Sequence, residues 1–152
     1  MMRIEVNIPP HISGMREKVN TGFSKGIQRV TAQMTTEAMA EAPRKTGNLK
    51  RSIHAEVASL GGFSGKVIQD IGVAKYGPWV HNGTGLYGPE GKEIIITPTK
   101  KKALFWKGAK HPVKRSVVKG MKPRPFMKNA FEKKKPEVPE IIKDSIMREV
   151  NS

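Results

Sequence analysis

Gly22-Phe23-Ser24-Lys25-Gly26 has the spacing of a nucleophile elbow, and Asp70 and His111 follow it in the order of an α/β-hydrolase triad. That chemistry needs the serine on a sharp strand-to-helix turn above a sizeable parallel sheet. Ser24 falls instead inside a long run of helical periodicity, so the match carries no nucleophile. Gly83-Thr84-Gly85-Leu86-Tyr87-Gly88 satisfies GxGxxG, but a dinucleotide site requires a helix to open from the pattern. Pro89 and Gly91 follow it, which makes a plain loop the better reading. Gly91-Lys92 leads into Glu93 where a phosphate-binding loop has Ser or Thr, and Leu86 stands where that loop has Gly. His11, His54, His81 and His111 have no i, i+3 or i, i+4 pairing and no carboxylate at ligand spacing. Glu37 and Glu41 lie four apart as solvated helix charges. With no cysteine, the chain has no disulfide, thiolate metal site or cysteine nucleophile. No catalytic, metal-binding or cofactor-binding residue is assigned, and the expectation is a protein that is not an enzyme.

The residue types that do concentrate are cations. Between Lys100 and Lys135 stand 14 Lys/Arg and one acid, Glu132, out of a formal net charge of +15 for the chain. Charge confined to one stretch gives a surface with a direction. Such a surface can neutralise nucleic-acid phosphates, with affinity that falls as salt rises. It can also dock on an acidic protein, where electrostatics sets orientation and on-rate. The bland alternative is a solvated face that confers solubility. Lys100, Lys101, Lys102, Lys114, Arg115, Lys122 and Arg124 are the cations assigned to an assembly or electrostatic surface. Leu104, Phe105, Trp106 and Phe126 interrupt the charges, which a solvated tail seldom carries, so the segment reads as a folded face. Its aromatics are too irregular for a base-stacking platform. The last 17 residues hold four acids against two bases and are a candidate shield for part of that face.

The elements that must position these residues follow from pattern. At 152 residues, with 37% hydrophobic and 27% charged residues, the chain fits one domain at the polar end of globular composition. No apolar run nears the ~20 residues of a membrane span, and the N-terminus lacks a signal-peptide core. A short strand is expected over residues 2–8. From Ser13, a candidate N-cap, apolar residues recur at Met15, Val19, Phe23, Ile27, Val30, Met34 and Ala38, one face of a helix to about Glu41, roughly 40 Å long. Gly22 and Gly26 weaken it by about 1 kcal/mol each relative to Ala, and permit a bend or the close approach of another backbone. Pro43 ends the helix. A hairpin is expected from strands 52–57 and 66–73, around a loop at Gly61-Gly62-Phe63-Ser64-Gly65. A short element at Tyr76–His81, a glycine-rich loop to Gly91 and a strand at Glu93–Thr97 come next. A second hairpin is expected between Ala103–Trp106 and Val113–Val118. Helices at Phe126 to about Lys134 and Pro139–Val150 close the chain.

Three stretches, taken in order, resemble the neck proteins of tailed bacteriophages, a family of head–tail connector and tail-completion components. The first is Ala42-Pro43-Arg44-Lys45-Thr46-Gly47-Asn48-Leu49-Lys50-Arg51-Ser52-Ile53. The second comprises Val73, Tyr76, Trp79, Val80 and Gly83-Thr84. The third is Lys122-Pro123-Arg124-Pro125-Phe126-Met127-Lys128-Asn129-Ala130. The motif residues are Pro43, Thr46, Gly47, Leu49, Ser52, Tyr76, Trp79, Gly83, Thr84, Pro123, Pro125 and Phe126, and they make physical sense unaided. Pro43 stops a helix, Gly47 permits positive φ, and Leu49 and Ile53 return to a core. Pro123 and Pro125 hold an extended approach that Phe126 anchors. The resemblance covers about residues 13–135, which leaves an N-terminal arm, 1–12, and a C-terminal helical extension, 136–152. It implies an α+β fold, with long N-terminal and C-terminal helices on an antiparallel β-sheet with long loops. It implies a structural virion protein that forms a homo-oligomer, as a ring, at the head–tail junction or tail end. Its partners would be head-completion, tail-tube or tail-terminator proteins, with non-specific contact to phage DNA and none to membrane. Its place would be the virion neck or tail, after assembly in the host cytoplasm. The alternative is a nucleic-acid-binding module that uses residues 100–135.

Overall fold

A computed structural model describes residues 10–45, 47–57 and 63–152. The expected 2–8 strand, Thr46 and Gly61-Gly62 lie outside the described residues. The fold is α+β. A 32-residue helix, α1 (Pro10–Glu41), is followed by one helical turn, α2 (Asn48–Arg51), and a hairpin of β1 (Ile53–Val57) and β2 (Gly65–Gln69). Helix α3 (Gly77–Asn82) and a 3₁₀ turn (Gly85–Tyr87) lead to a second pair of strands, β3 (Ile94–Ile96) and β4 (Ser116–Val118). Helix α4 (Phe126–Lys134), a 3₁₀ turn (Lys135–Glu137) and α5 (Val138–Val150) complete the chain. The strands form two separate antiparallel pairs, not one sheet.

The start of α1 departs from expectation, because Pro10 rather than Ser13 begins it. Proline suits a first helical turn, where its missing N–H has no partner to lose. The helix spans about 48 Å at 1.5 Å per residue. Its covered stripe is wider than the large-apolar face, whose residues are buried or half-buried except Met15. Val30 and Ala38 are buried, but Met15 is 48% exposed, and the other buried positions are Gly22, Ser24, Gly26, Thr31, Thr35 and Ala42. Helix α5 causes this at its start by lying directly on the glycines, while β2 covers Thr31 at Gly65. A Cβ on Gly22 would sit 2.6 Å from the Ile146 Cα, and one on Gly26 3.1 Å from the Ile142 Cα. The glycines therefore serve close approach. Thr31 and Thr35 stay satisfied in this stripe by donating to the carbonyls of Ile27 and Thr31, each at 2.7 Å.

The core gathers at the C-terminal half of α1, where Ala38, Ala42, Leu49, Ile53, Ala74, Val80, Phe126 and Ala130 meet. Ser52, fully buried, donates to the Leu49 carbonyl at 2.7 Å and so closes α2 onto β1. In the β1–β2 pair, Ile53 faces Gln69 and Val57 faces Gly65. The return strand stops at Gln69, short of the expected Val73, because Asp70 starts a turn. Its Oδ1 accepts from the Gly72 N–H at 2.7 Å and its carbonyl accepts from Ala74 at 3.1 Å.

Of the C-terminal acids, expected to shield part of the basic face, only Glu137 meets a cation of that segment among the described residues. Glu149 meets Lys25 at 2.6 Å and Asp144 meets Arg29 at 3.0 Å, which clamps α5 to α1. Glu137 pairs with Lys134 one turn away. The Arg29 guanidinium donating to Asp144 holds its carboxyl below the ordinary value, against a smaller opposing effect of desolvation, with Arg148 adding to the shift. On α4, Lys133 bonds Glu41 and Glu37, which raises its ammonium pKa.

Two outcomes test this packing. Gly22→Ala should destabilise by about 1–3 kcal/mol in urea unfolding, since backbone must move, although alanine favours an isolated helix. Gly26→Ala, with more room, should cost less. Asp144 has a folded pKa below its unfolded one, so its contribution is present at neutral pH. It disappears as pH falls from about 3.9 through the folded value. Asp144→Asn should therefore melt slightly below the parent at pH 7, with the gap closing in acid.

Candidate functional site

The basic segment divides in space. On α4, Lys128 pairs with Glu132 at 3.8 Å, Lys133 with Glu37 and Glu41, and Lys134 with Glu137, so these cations belong to helix packing. Lys100, Lys101, Lys102, Lys114 and Arg115 lie on the excursion between β3 and β4, and none forms an ion pair among the described residues. The expected hairpin of 103–106 with 113–118 is reduced to one bridge. Leu104 and Val113 exchange backbone bonds of 2.8 and 3.0 Å, while Val117 and Val118 pair instead with Ile95 and Ile94. Opposed β-branched residues favour that pairing, and the Lys114-Arg115 step separates it from the bridge.

This arm has almost no core of its own. Ile95 is 54% exposed, Val117 49%, Trp106 50% and Phe105 68%, and Ile94, Ile96 and Val118 are also exposed. A lone two-stranded pair is marginal in water, so the arm depends on its root. At that root two backbones cross. Thr84 N–H donates to the Met121 carbonyl at 2.9 Å, Met121 N–H to Thr84 Oγ1 at 3.0 Å, and Leu86 N–H to the Lys119 carbonyl at 2.8 Å. Gly85 and Gly120 carry φ of 63° and 92° there. A Cβ on Gly85 would stand 2.6 Å from the Lys119 oxygen, and one on Gly120 would overlap the Thr84 carbonyl. The GxGxxG match is therefore a backbone crossing, which explains its glycines without a phosphate. Lys122 sits 5.8 Å over the Tyr87 ring, where it steadies the same root.

Below the root, the three stretches noted in sequence converge. Pro43, Lys45 and Leu49, then Tyr76 and Val80, then Met121 and Arg124 line one cleft of about 500 Å³. Gly47, at φ 79°, turns the chain from α1 into α2 and buries Leu49. Arg124 N–H donates to the Val80 carbonyl at 2.9 Å, and Phe126 N–H to the Arg124 carbonyl at 2.8 Å. Pro123 and Pro125 flank that clasp, and buried Phe126 meets the His81 ring edge-on at 5.2 Å. Trp79 points the other way, 60% exposed, beside a second cleft that Gly83, Glu90 and Ile94 also line. Arg124 thus leaves the arm cations and joins Lys45, a residue that sequence reasoning passed over. Its only signal was its place in the first stretch, two residues after the helix-stopping Pro43.

Ser24 is buried within α1 and its hydroxyl finds no partner among the described residues, so it is no exposed nucleophile. Among the described residues, no three His, Asp or Glu side chains are grouped to hold a metal ion. No described helix is long and apolar enough to cross a membrane.

The crossing predicts a local effect. Gly120→Ala combines a left-handed backbone with overlap and should release the arm, at a cost of about 1–3 kcal/mol. Amide exchange at Leu86, Ile94–Ile96 and Ser116–Val118 should accelerate while α1 and α4 stay protected. Gly108→Ala, also at positive φ but with open space around it, should leave exchange at Leu86 unchanged.

Compared with protein-family models, characterised proteins and solved structures, the chain matches none, so its function is read from its own geometry.

Proposed function

We propose that this chain is a structural virion protein of a tailed phage. It assembles, as a ring, at the head–tail junction or tail end, where it completes or joins the tail. The observation that carries the reading is the β3–β4 arm, whose two strands present exposed aliphatics on a cationic excursion with no core beneath them. A surface of that kind is covered when a partner supplies the missing layer. Convergence of the three phage-like stretches on one cleft lends further support, since residues far apart in sequence then serve one place. Ile71, Val73, Tyr76 and Trp79 are exposed as well and add apolar surface for neighbours.

A nucleic-acid-binding role is the second reading, favoured by Lys100–Lys119 carrying cations and no acid. Phosphate neutralisation, however, leaves Ile95, Val117 and Phe105 in water. Protein contact covers them, and this decides the order of the two readings.

The test is incorporation. Electron microscopy of the chain mixed with phage heads or tails that lack it should show a ring at the junction or tail end. Phe105→Asp, at an exposed position outside the strands, should change stability by less than about 0.5 kcal/mol, and Ile95→Asp should cost the strand pair about 1 kcal/mol, yet both should abolish joining. A chain that stays monomeric at high concentration and also fails to join heads or tails sinks the proposal. Steep, salt-sensitive binding to duplex DNA, lost on neutralising Lys100–Lys102 and Lys114-Arg115, would favour the second reading instead.

A further inference from the structure

The cleft below the arm has a lining specific enough to state what fills it. Leu49 and Val80, both buried, form its floor, with Pro43 and Met121 on the walls and Tyr76 at the mouth. Its volume of about 500 Å³ lies within the range of ligand-sized sites. The charged residues that line it are both cations, Lys45 and Arg124, exposed and without an ion pair among the described residues. Neither is on a loose tail. Arg124 is clasped on both sides by the backbone bonds to Val80 and Phe126, and Lys45 sits in the turn that Gly47 closes. An occupant must therefore bring an apolar body and negative charge together.

A free small acid suits the site poorly, because ligand pockets for such molecules bury most of the ligand and this cleft is open. A phosphate backbone would leave the apolar floor uncovered. A second copy of this chain is disfavoured by charge. Each copy carries a formal +15, and seven of the twelve described acids, Glu37, Glu41, Glu56, Glu132, Glu137, Asp144 and Glu149, already face cations or histidine in their own chain. We infer that the cleft receives a short acidic and apolar segment of a different protein. An aromatic or leucine side chain sits over Leu49 and Val80, and carboxylates beside it meet Lys45 and Arg124. This deepens the assembly reading and rests on it in one respect, that the partner is a protein.

The probe is a synthetic peptide, acetyl-Glu-Phe-Glu-amide, titrated to about 10 mM into the full chain and followed by amide chemical shifts. The expected shifts cluster at Gly47–Leu49, Tyr76–Val80 and Met121–Arg124. Replacing Phe by Ala in the peptide, or both Glu by Gln, should abolish most of the response. Lys45→Gln and Arg124→Gln should each weaken binding about twofold to fivefold, the span of an exposed ion pair, while Lys114→Gln changes nothing. Unperturbed shifts elsewhere in the variants show that they remain folded. No shift at the highest concentration, or shifts confined to the arm cations, overturns the inference. Shifts of cleft residues with protein concentration alone assign the cleft to a second copy, and a stronger response to duplex DNA assigns it to phosphate. Failed peptide binding in a chain that still joins phage particles sinks this inference alone. Peptide binding in a chain that never joins them sinks the phage reading instead.

Discussion

Everything in this fold depends on how closely other backbones can approach α1. The helix is about 48 Å long, and many of the chain's large apolar residues stay exposed and do not layer onto it. Gly22 and Gly26 solve this over the first half by letting the α5 backbone lie against the helix, so that contact is made by backbone atoms. Over the second half, Ala38 and Ala42 admit Phe126, Leu49 and Ile53 into a small core. Dispersion at short range, summed over many atoms, replaces bulk as the source of cohesion. The ion pairs Lys25–Glu149 and Arg29–Asp144 lie along the rim of this contact and set its register more than its strength.

A thin core leaves apolar residues without cover, and half of the large ones lie beyond the crossing at Thr84 and Gly120. The same device recurs there, with glycines where two backbones meet. The crossing holds the arm at one end while its aliphatic faces stay in water. That division, a body closed on α1 and an arm left open, is the physical basis for reading the molecule as a component of something larger. Cations on the arm add direction, and the apolar residues between them select for a partner with an apolar surface of its own.

Local chemistry made much of this legible. The break at Pro43, the positive φ at Gly47, the Pro-flanked entry to α4 and the restart after Pro136 all follow from backbone limits of single residues. Each was readable without knowing any neighbour in space. The periodicity from Met15 to Ala38 announced a helix and most of one covered face, but not the stripe beside it, because hydrophobicity favoured the large residues while α5 needed Gly22 and Gly26. The run Val113–Val118 announced a strand and concealed its partner, since pairing with Ile94–Ile96 depends on a crossing that begins at Thr84. The dense cation segment read as one face because it is one stretch of chain. Half of its logic lay in acids on α1 and after Lys134.

By itself, the sequence determined where proline and glycine stop or turn the chain, that the charge is concentrated, and that no familiar catalytic pattern has its required context. Those properties reside in φ/ψ limits, spacing and composition, all of them local. Tertiary structure alone decided that Lys45 and Arg124 share one cleft, that Asp144 and Glu149 face α1, and that Ile95 and Val117 remain uncovered. These facts depend on which surfaces are brought together across long stretches of chain, and packing settles that only when the whole fold closes.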